Sequence, residues 1–382
     1  MTLEDIRKEI DEIDSKLLPL FLARMDCAKK VAKVKKENNI PVFNPKREQE
    51  ILNRIGSETG KYKGEAKLLY SNMMDMSRSL QHNLLSSGKE LRQTIAEAES
   101  ETLKTEKIAC LGENGSYSHE ALKKLYPNSV PQFYQNFGGI FAAVENGSAD
   151  LGLVPVENSS AGSVSEVYDF IMKYRFYIIA ATSLQVHHCL AAAKKVDSRS
   201  IGIVYSHPQA LSQCSDYIKK NDMKSQPCSN TTAAAQMISQ RQEAGIAAIC
   251  SEHAAKEYGL QIIADDIQNN SNNCTRFIVI SRRLFIPKDA QKISLCFSLL
   301  HKTGSLYSVL ARFAAAGLNL TKIESRPIAG KNFEYDFYLD FTGNVREEQT
   351  LNLLCSLYDE LPRFSFLGNY TENEIGRASC ME

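Results

Sequence analysis

The sequence predicts a multidomain protein with an all-α segment, then an α/β segment, then a small α+β segment of ferredoxin-like topology. Three observations predict this. The chain has 382 residues, more than one hydrophobic core usually organises. Apolar residues recur every three or four positions near the N-terminus, and strand, polar turn and helix alternate from Lys107 onward. The predicted parts are residues 1–90, a linker at 91–106, residues 107–285, residues 290–370 and a tail at 371–382.

Charge and cysteine content exclude several classes of function. Lys plus Arg equals Asp plus Glu, 45 each, so no broad attraction to nucleic acid or acidic lipid is expected. The ten cysteines are scattered, with no CxxC pair and no His spacing typical of a metal site. The N-terminal stretch is acidic, and no run approaches about eighteen apolar residues. We therefore expect a cytoplasmic protein with reduced thiols and no metal, nucleic-acid or membrane partner.

The N-terminal segment is dominated by one predicted helix. Its apolar residues recur from Leu3 to about Lys36, with Pro19 as the only interruption. At 1.5 Å per residue this helix spans roughly 50 Å, longer than a domain of about ninety residues is wide. Such a helix needs a partner, and a homodimer is the simplest way to supply one. Further helices are predicted at residues 45–55 and 65–85.

Cations on the first helix are candidate anion-binding groups. Arg24 and Lys35 are eleven residues apart, three turns to within about 20°, so they share a face. Arg7 is roughly 100° out of phase with Arg24, so an intertwined partner would have to deliver it. Neighbouring polar pairs on later helices are Arg47 with Glu48 and Ser77 with Gln81. On spacing alone, all of these also fit ordinary solvated helix charges.

The stretches around these residues, ARMDCAKKVAKVKK, IPVFNPKRE and MDMSRSLQ, resemble the all-helical chorismate mutase family. The resemblance implies an interlocked helical dimer that rearranges chorismate to prephenate without a cofactor, by positioning and electrostatic stabilisation alone. It also implies residue roles. Arg24, Arg47 and Arg7 of the partner subunit would bind the two substrate carboxylates, with help from Ser77. Lys35 and Gln81 would hydrogen-bond the ether oxygen. Glu48 would hold the ring hydroxyl. Asn44 stands where the family usually has an aspartate, and its amide can still accept and donate.

The α/β segment carries small polar groups where strands are followed by helices. The alternation from KIACLG onward predicts largely parallel sheets. Backbone amides at helix N-termini attract anions, so four such turns meeting in one cleft would bind a small polyanion. Each turn alone also fits a plain helix cap. The turns are residues 115–118, residues 158–160, Ser206 with His207 and Gln209, and Thr231 with Thr232.

The stretches GSYSHEA, VPVENSSAG, SHPQAL and NNCTRF together resemble prephenate dehydratase. The resemblance implies two α/β lobes around a cleft, like a periplasmic binding protein, with Thr275 acting on the departing ring hydroxyl. The implied substrate-binding residues are Asn158, Ser159, Ser160 and Arg276, with Phe277 packed behind them, and the turns add Ser118, His207, Gln209 and Thr231. A threonine hydroxyl is a poor acid. Glu157, if buried, is therefore a candidate proton source, with His188 and His207 as alternatives.

The C-terminal segment reads as a βαββαβ unit from about Pro287. IESRP, residues 323–327, follows a predicted strand and resembles the phenylalanine-sensing motif of the ACT domain. Residues 304–307 read GSLY where that family normally has Gly-Ala-Leu-Val. The resemblance implies an effector site between paired ACT units, formed by Gly304, Leu306, Glu324, Ser325, Arg326 and Pro327. The alternative is that Glu324 and Arg326 merely pair across an exposed loop.

Three motif sets in this order predict a bifunctional enzyme of phenylalanine biosynthesis. It would convert chorismate to prephenate and then prephenate to phenylpyruvate, with no cofactor and with phenylalanine as an allosteric inhibitor. Two alternatives stay open. One is a dehydratase that prefers arogenate, and the other is a non-catalytic amino-acid sensor in which the cleft and the ACT unit only report a ligand.

Overall fold

The computed structural model describes residues 1–100, 107–328, 330–331 and 333–373. Residues 101–106 of the predicted linker and 374–382 of the predicted tail lie outside this range. The chain forms two compact units. The first contains Met1–Glu97 and Lys292–Leu367, and the second contains Ala98–Gln291 and the residues from Gly368 onward. The N-terminal and C-terminal segments thus belong to one unit, and the α/β segment forms most of the other.

The N-terminal segment consists of four helices: α1 (Leu3–Glu37), α2 (Pro45–Glu58), α3 (Lys63–Leu85) and α4 (Lys89–Ala96). Helix α1 begins with a capping box, in which Thr2 and Asp5 satisfy each other's backbone amides, and it continues unbroken through Pro19. Its only buried residues are Ala28 and Ala32. The long apolar side chains predicted for this helix are therefore exposed, among them Leu3, Ile10, Ile13, Leu17 and Val34.

The last of these helices lies where a linker was predicted. Helix α4 buries Leu91. Its N-terminal Gly88 donates its backbone N–H to Asp359 Oδ2 over 3.0 Å, and the Arg92 guanidinium donates to the Asn352 side chain. Residues 89–96 are thus held against the C-terminal segment of the same unit.

The first lobe of the α/β segment is a mixed sheet in the order β5-β11-β3-β1-β2. Its strands are β1 (Lys107–Leu111), β2 (Val130–Tyr134), β3 (Leu151–Asn158), the short β4 (Gly162–Ser163), β5 (Tyr177–Gln185) and β11 (Cys274–Ser281). Its helices are α5 (Tyr117–Leu125), α6 (Phe137–Glu145) and α7 (Ser165–Tyr174). Strand β1 is parallel to both of its neighbours. A core that includes Ile108, Leu122, Leu153 and Phe277 fills this lobe.

The second lobe is a five-stranded sheet in the order β10-β6-β9-β7-β8. Its strands are β6 (Cys189–Ala192), β7 (Ile203–Ser206), β8 (Lys224–Pro227), β9 (Ile246–Cys250) and β10 (Gln261–Ala264). Its helices are α8 (Pro208–Gln213), α9 (Ser215–Lys220), α10 (Thr231–Arg241) and α11 (Glu252–Glu257). Small residues such as Ala234, Ala248 and Ala254 bring its layers close together.

Two chain crossings join the lobes, from β5 to β6 and from β10 back to β11. The sheets are therefore less parallel than the sequence predicts. Strand β11 returns from the second lobe and lies antiparallel to both β3 and β5. Strand β6 is likewise antiparallel to β9 and β10. The returning strand places the Thr275 motif beside the end of β3.

The C-terminal segment has the predicted βαββαβ order: β12 (Lys292–Ser298), α12 (Ser305–Ala315), β13 (Leu320–Pro327), β14 (Tyr335–Thr342), α13 (Glu348–Glu360) and β15 (Arg363–Asn373). The strand order is β13-β14-β12-β15. The end of β15 belongs to the second unit, where residues 371–373 pair in parallel with residues 180–182 of β5. One expectation is corrected. The IESRP residues do not follow a strand but form the end of β13, since their backbones pair with β14 through residues 335–339.

No helix in the described part of the chain combines the length and the apolar character that crossing a membrane requires.

Candidate active sites

Seven of the residues predicted for the first reaction line one pocket of ≈ 260 Å³ in the helical segment. They are Arg24, Lys35, Asn44, Arg47, Glu48, Ser77 and Gln81. Helices α1, α2 and α3 each contribute, because residues eleven apart on α1 and four apart on α3 share a helix face. Arg7 does not line this pocket, and its side chain is exposed elsewhere on α1.

The Arg24 guanidinium is fixed from helix α3. Its Nη1 donates to the Ser77 hydroxyl over 2.8 Å and to the Met73 carbonyl over 3.0 Å. The Ser77 hydroxyl in turn donates to the same carbonyl over 2.7 Å. These contacts occupy one nitrogen, and a guanidinium has five N–H donors. Arg24 is thus pre-positioned with donors left for an anion.

The Lys35 ammonium is half-buried and donates to the Val42 carbonyl. Burial lowers the pKa of Lys35, the negative charge of Glu48 opposes this shift, and the positive charge of Arg78 adds to it. An ammonium has three donors, so two remain for a ligand in the pocket.

The Gln81 amide lies one turn after Ser77 and is buried. Its Nε2 donates to the Ser77 carbonyl over 3.1 Å, and the second N–H of that group is left for the pocket. The Gln81 Oε1 has no hydrogen-bond partner among the described residues. Gln81 therefore brings both an acceptor and a donor to the pocket.

Two predicted residues lie at the mouth of the pocket. Asn44 is the N-cap of α2, and its Oδ1 accepts the Arg47 backbone N–H over 3.0 Å. The Arg47 side chain is 67% exposed and lies 3.4 Å from Glu50. The Asn44 cap fixes the first turn of α2, from which the Arg47 side chain extends. Because an exposed ion pair is weak, Arg47 can leave Glu50 and bind a ligand instead.

The Glu48 carboxylate has a partner that the sequence analysis missed. It accepts a hydrogen bond from Nη1 of Arg78, which also lines the pocket. Arg78 lies within MDMSRSLQ, between the two residues singled out there. Its partner Asp75 lies three residues earlier on α3, a spacing that is visible in the sequence, whereas Glu48 and Glu360 come from distant parts of the chain.

The second cluster of predicted residues lies where β3 meets the start of β11. Asn158 and Thr275 are cross-strand partners, and Asn158 Nδ2 donates to the Thr275 Oγ1 over 2.9 Å. The Asn158 Oδ1 accepts the backbone N–H groups of Ser160 and Ala161 over 3.0 and 2.9 Å. The Thr275 hydroxyl proton has no acceptor among the described residues. Thr275 is thus half-exposed, fixed by an incoming hydrogen bond, and able to donate.

Ser159 ties the same turn to the strand before Thr275. Its backbone N–H donates to the Cys274 carbonyl, and the Cys274 N–H donates to the Ser159 hydroxyl, both over 2.9 Å. The reciprocal pair explains why β3 ends in small hydrogen-bonding residues. These small residues at the end of β3 hold the turn against β11 through hydrogen bonds.

Arg276 and Glu157 do not join the Thr275 cluster. They are cross-strand partners one residue further along, and successive residues of a strand point to opposite faces. The Arg276 Nε lies 2.5 Å from the buried Glu372 carboxylate, and its Nη2 donates to the Tyr370 hydroxyl over 3.0 Å. The face opposite Thr275 therefore holds the predicted carboxylate binder and the predicted proton source.

The remaining predicted residues of the second reaction are placed separately. Phe277 is 2% exposed within the core of the first lobe. Among the described residues, no hydrogen bond joins the Asn158–Thr275 pair to the other four. These four lie at or near the starts of three helices: Ser118 in α5, His207 and Gln209 at α8, and Thr231 in α10.

A cavity of ≈ 520 Å³ lies between the lobes and is lined mainly by residues that the sequence analysis missed. The Tyr117 hydroxyl donates to the His187 carbonyl over 2.6 Å and lies 3.0 Å from His188 Nδ1. The His188 Nε2 lies 3.0 Å from Gln213 Oε1, so both ring nitrogens of His188 have a partner within the protein. Burial raises the pKa of the neighbouring Glu120. The motif GSYSHEA contains Tyr117 and Glu120, so it was the feature of the sequence from which these two lining residues could have been predicted.

The predicted effector residues lie in two elements of the C-terminal segment. Gly304 is the N-cap of α12, with φ +84°, and Leu306 follows in the first turn. Residues 324–327 lie on β13, which is an edge strand among the described strands. Glu324 is 3.4 Å from Lys322, and Arg326 lies on the same face of β13 two residues later.

No group of three or more His, Cys, Asp or Glu side chains that could hold a metal ion occurs in the part of the chain that the structure describes.

Comparison with known proteins covers both segments. Residues 6–82 match the family described as chorismate mutase type II, and residues 108–284 match prephenate dehydratase. The bifunctional chorismate mutase/prephenate dehydratase of Aquifex aeolicus (strain VF5) is 32% identical over 96% of this chain and 97% of its own. The chloroplastic arogenate dehydratase/prephenate dehydratase 2 of Arabidopsis thaliana is 37% identical over 69% of this chain and 72% of its own. The solved prephenate dehydratase of Arthrobacter aurescens, in complex with L-Phe, is 30% identical with a TM-score of 0.63, covering 69% of this chain and 89% of its own.

Proposed function

The chain belongs to the family of bifunctional chorismate mutase/prephenate dehydratase enzymes, and on that premise we propose that its two reactions take place at the two clusters described above. The protein rearranges chorismate to prephenate and converts prephenate to phenylpyruvate. Its N-terminal helical domain and its two-lobed α/β domain correspond to these activities in order. The proposal concerns which residues perform each reaction.

The first reaction is assigned to the helical pocket. Arg24 and Arg47 hold the two substrate carboxylates there, with Ser77 fixing Arg24. Lys35 and the second Gln81 N–H reach the ether oxygen, on which negative charge grows as its bond to carbon breaks. Glu48 accepts the ring hydroxyl. Because no proton is transferred, the rate depends on folding the flexible enolpyruvyl arm over the ring and on fixed charge. The observation that carries this proposal is the convergence of cations from three helices on one pocket.

The second reaction is assigned to Thr275 and the turn after β3. The Thr275 hydroxyl passes a proton to the ring hydroxyl as the carbon–oxygen bond breaks and water leaves, while the electron pair of the ring-to-carboxylate bond moves into the ring as carbon dioxide leaves. A proton from solvent then restores the Thr275 hydroxyl. The hydrogen bond that Thr275 accepts from Asn158 polarises its O–H and improves it as a donor. The aromatic product supplies the driving force.

A direct assay tests both assignments together. Purified protein is incubated with chorismate, and prephenate and then phenylpyruvate are measured over time. Successive appearance of both products is expected. Binding of these acids without turnover would instead favour a non-catalytic sensor.

A homodimer is proposed because α1 has a long apolar face that the described residues of its own chain leave exposed. Ile10, Ile13 and Leu17 are 50%, 55% and 53% exposed and recur on one side of the helix. A second α1 is the simplest cover for this stripe. An intertwined arrangement would also bring Arg7 of the partner subunit to the pocket, which Arg7 does not line within its own chain.

Regulation by phenylalanine through an ACT domain is proposed for the C-terminal segment. Its βαββαβ order and the edge position of β13 suit pairing with a second copy, since an edge strand has unpaired backbone groups. The Arthrobacter aurescens relative was solved with L-Phe bound. Isothermal titration of the protein with L-phenylalanine, with Arg326→Ala as the matched variant, tests this role.

Prephenate is proposed as the preferred substrate over arogenate. The helical pocket of the same chain produces prephenate, whereas arogenate requires a separate amino-group transfer. The Arabidopsis thaliana relative is named for both substrates, so the preference is tested by comparing kcat/KM for the two acids.

A further inference from the structure

Arg78 is a buried cation that belongs to none of the roles assigned above. Its side chain is 9% exposed. On α3, Ser77 and Gln81 face the pocket, while Asp75 and His82 face α12 and α13. At 3.6 residues per turn, Arg78 lies about 60° from both Asp75 and Gln81. Arg78 therefore lies between the two faces and can contact both.

Three carboxylates surround the guanidinium of Arg78, two as hydrogen-bond acceptors and the third, Glu360, as an ion-pair partner without a hydrogen bond. Nη1 donates to Glu48 and Nη2 donates to Asp75. Nε lies 3.4 Å from Glu360 Oε2, and the guanidinium carbon lies 4.9 Å from the centre of the Phe43 ring. A planar guanidinium presents its donors in a fixed fork, so holding two of its edges fixes the third.

The two carboxylates on the far side are themselves held by the C-terminal segment. Glu360, the last residue of α13, accepts from Arg312 Nη1 over 2.9 Å and lies 2.7 Å from His82 Nε2. Asp75 accepts from the Ser308 hydroxyl over 2.8 Å. The charged and titratable groups around Arg78 are thus Glu48, Asp75, His82, Arg312 and Glu360, with Lys35 across the pocket.

The contact with Arg78 has a consequence for Lys35. Glu48 and Lys35 line the same pocket, one as a carboxylic side chain and the other as an amine. Without another cation, Glu48 would turn towards Lys35 and neutralise the ammonium assigned to the ether oxygen. With Arg78 beside it, Glu48 keeps its position and Lys35 keeps its donors for substrate.

We infer that Arg78 is a positioning residue of the chorismate rearrangement, which holds Glu48 in place in the pocket and is itself held in place by Glu360. The inference rests on the proposed role of Glu48 at the ring hydroxyl. It follows that the last helix of the C-terminal segment sets the geometry of the mutase pocket, although it contributes no residue to its lining.

A double-mutant cycle tests this inference. Arg78→Gln is expected to lower mutase kcat/KM by about tenfold or more while conversion of supplied prephenate is unchanged. In a Glu48→Gln background the same change is expected to have less than about a twofold further effect, because Arg78 acts through Glu48. The inference would be overturned if the double variant lost mutase kcat/KM by the product of the two single losses. It would also be overturned if Arg78→Gln left mutase kcat/KM unchanged.

The cycle also separates this inference from the proposed function. If Glu48→Gln leaves the mutase unchanged, the role proposed for Glu48 is wrong and the inference fails with it. If Glu48→Gln lowers the mutase and Arg78→Gln does not, only the inference fails.

A variant outside the pocket keeps the test valid if Arg78→Gln does not fold. Glu360→Gln retains size and removes the charge that holds Arg78. It is expected to lower mutase kcat/KM severalfold, by about threefold or more. Arg363→Gln is the matched control, since it breaks a long ion pair, 3.7 Å, between the exposed Arg363 and the partly buried Asp336 in the same segment, and it is expected to leave both activities unchanged. Equal effects of Glu360→Gln and the control would overturn the inference.

Discussion

Asn158 and Thr275 lie opposite each other on neighbouring antiparallel strands, and the Asn158 amide donates to the Thr275 hydroxyl oxygen over 2.9 Å. The pair fixes the threonine rotamer and leaves its proton available. The same asparagine closes the turn after β3 through its Oδ1. One residue therefore orients the Thr275 hydroxyl and closes the turn beside it.

The first prediction concerns this pair. Asn158→Ala is expected to lower the dehydratase kcat by about tenfold to hundredfold, because the hydroxyl loses both its orientation and its polarisation. Mutase activity is measured on the same sample as an internal control. Asn146→Ala removes a comparable turn contact, to the backbone of Ser148, and is expected to have no effect. Equal losses in the two variants would show that Asn158 acts only through folding.

The second prediction concerns the pH dependence of the mutase. Lys35 must be protonated to donate, so activity is present below its pKa and is lost as pH rises through it. Burial lowers the pKa of Lys35 from its ordinary value of 10.5. The alkaline limb of the pH–rate profile is therefore expected below pH 10.5, and Lys35→Arg is expected to move it upward, since a guanidinium stays charged. If the alkaline limb of the pH–rate profile stays at the same pH in Lys35→Arg, a group other than Lys35 causes it.

The third prediction concerns the intertwined dimer. Arg7→Ala and Arg24→Ala chains are expected to be inactive as mutases alone. When the two are co-expressed, mixed dimers are expected to regain activity, because one of their two pockets then combines an intact Arg24 with Arg7 of the partner subunit. Arg24→Ala mixed with Lys35→Ala is the control and is expected to regain none. Equal recovery in both mixtures, or in neither, would contradict delivery of Arg7 across the dimer.

The fourth prediction concerns the acid stability of the Glu360 cluster. Burial alone would raise the pKa of Glu360, but the hydrogen bond from His82 and the charges of Arg312 and Arg78 outweigh it and lower the pKa to about 2. A carboxylate with a lowered pKa stabilises the fold above its ordinary pKa of 4.5, and this stabilisation is lost as pH falls towards 2.

The Tm difference between the wild type and Glu360→Gln is therefore expected to be largest above pH 5 and to shrink below about pH 4.5. The shift corresponds to a stabilisation on the order of 3 kcal/mol at neutral pH. A Tm difference that is constant from pH 7 to pH 3 would contradict the assignment.

The sequence analysis correctly identified the family, the two activities and the order of secondary-structure elements in the C-terminal segment. That Arg24 and Lys35 share a face, and Ser77 and Gln81 another, could be predicted from helical spacing, whereas the assignment of their common pocket to the rearrangement comes from the family resemblance and stays a prediction. The exposed stripe of α1 followed from the same periodicity.

Pleated strands were harder to interpret than helices. Arg276 and Glu157 are adjacent in sequence to Thr275 and Asn158, yet they face the other side of the sheet. Adjacent residues of one strand always face opposite sides of the sheet, so this separation follows once the strand is known to include them, but the sequence alone does not fix where a strand begins and ends. The IESRP residues were placed after a strand for the same reason, whereas they pair within it. Arg78 was missed because Glu48 and Glu360 become its neighbours only when distant parts of the chain fold against α3, although its spacing of three residues from Asp75 on the same helix was visible in the sequence.

Independent loss of the two activities tests the central claim of two separate pockets most directly. Arg24→Ala and Thr275→Ala are assayed separately with chorismate and with supplied prephenate. Arg24→Ala is expected to lower the rearrangement by about hundredfold or more and to leave prephenate conversion intact, and Thr275→Ala is expected to do the reverse. If either variant folds normally and loses both activities, the assignment of the reactions to separate pockets is wrong.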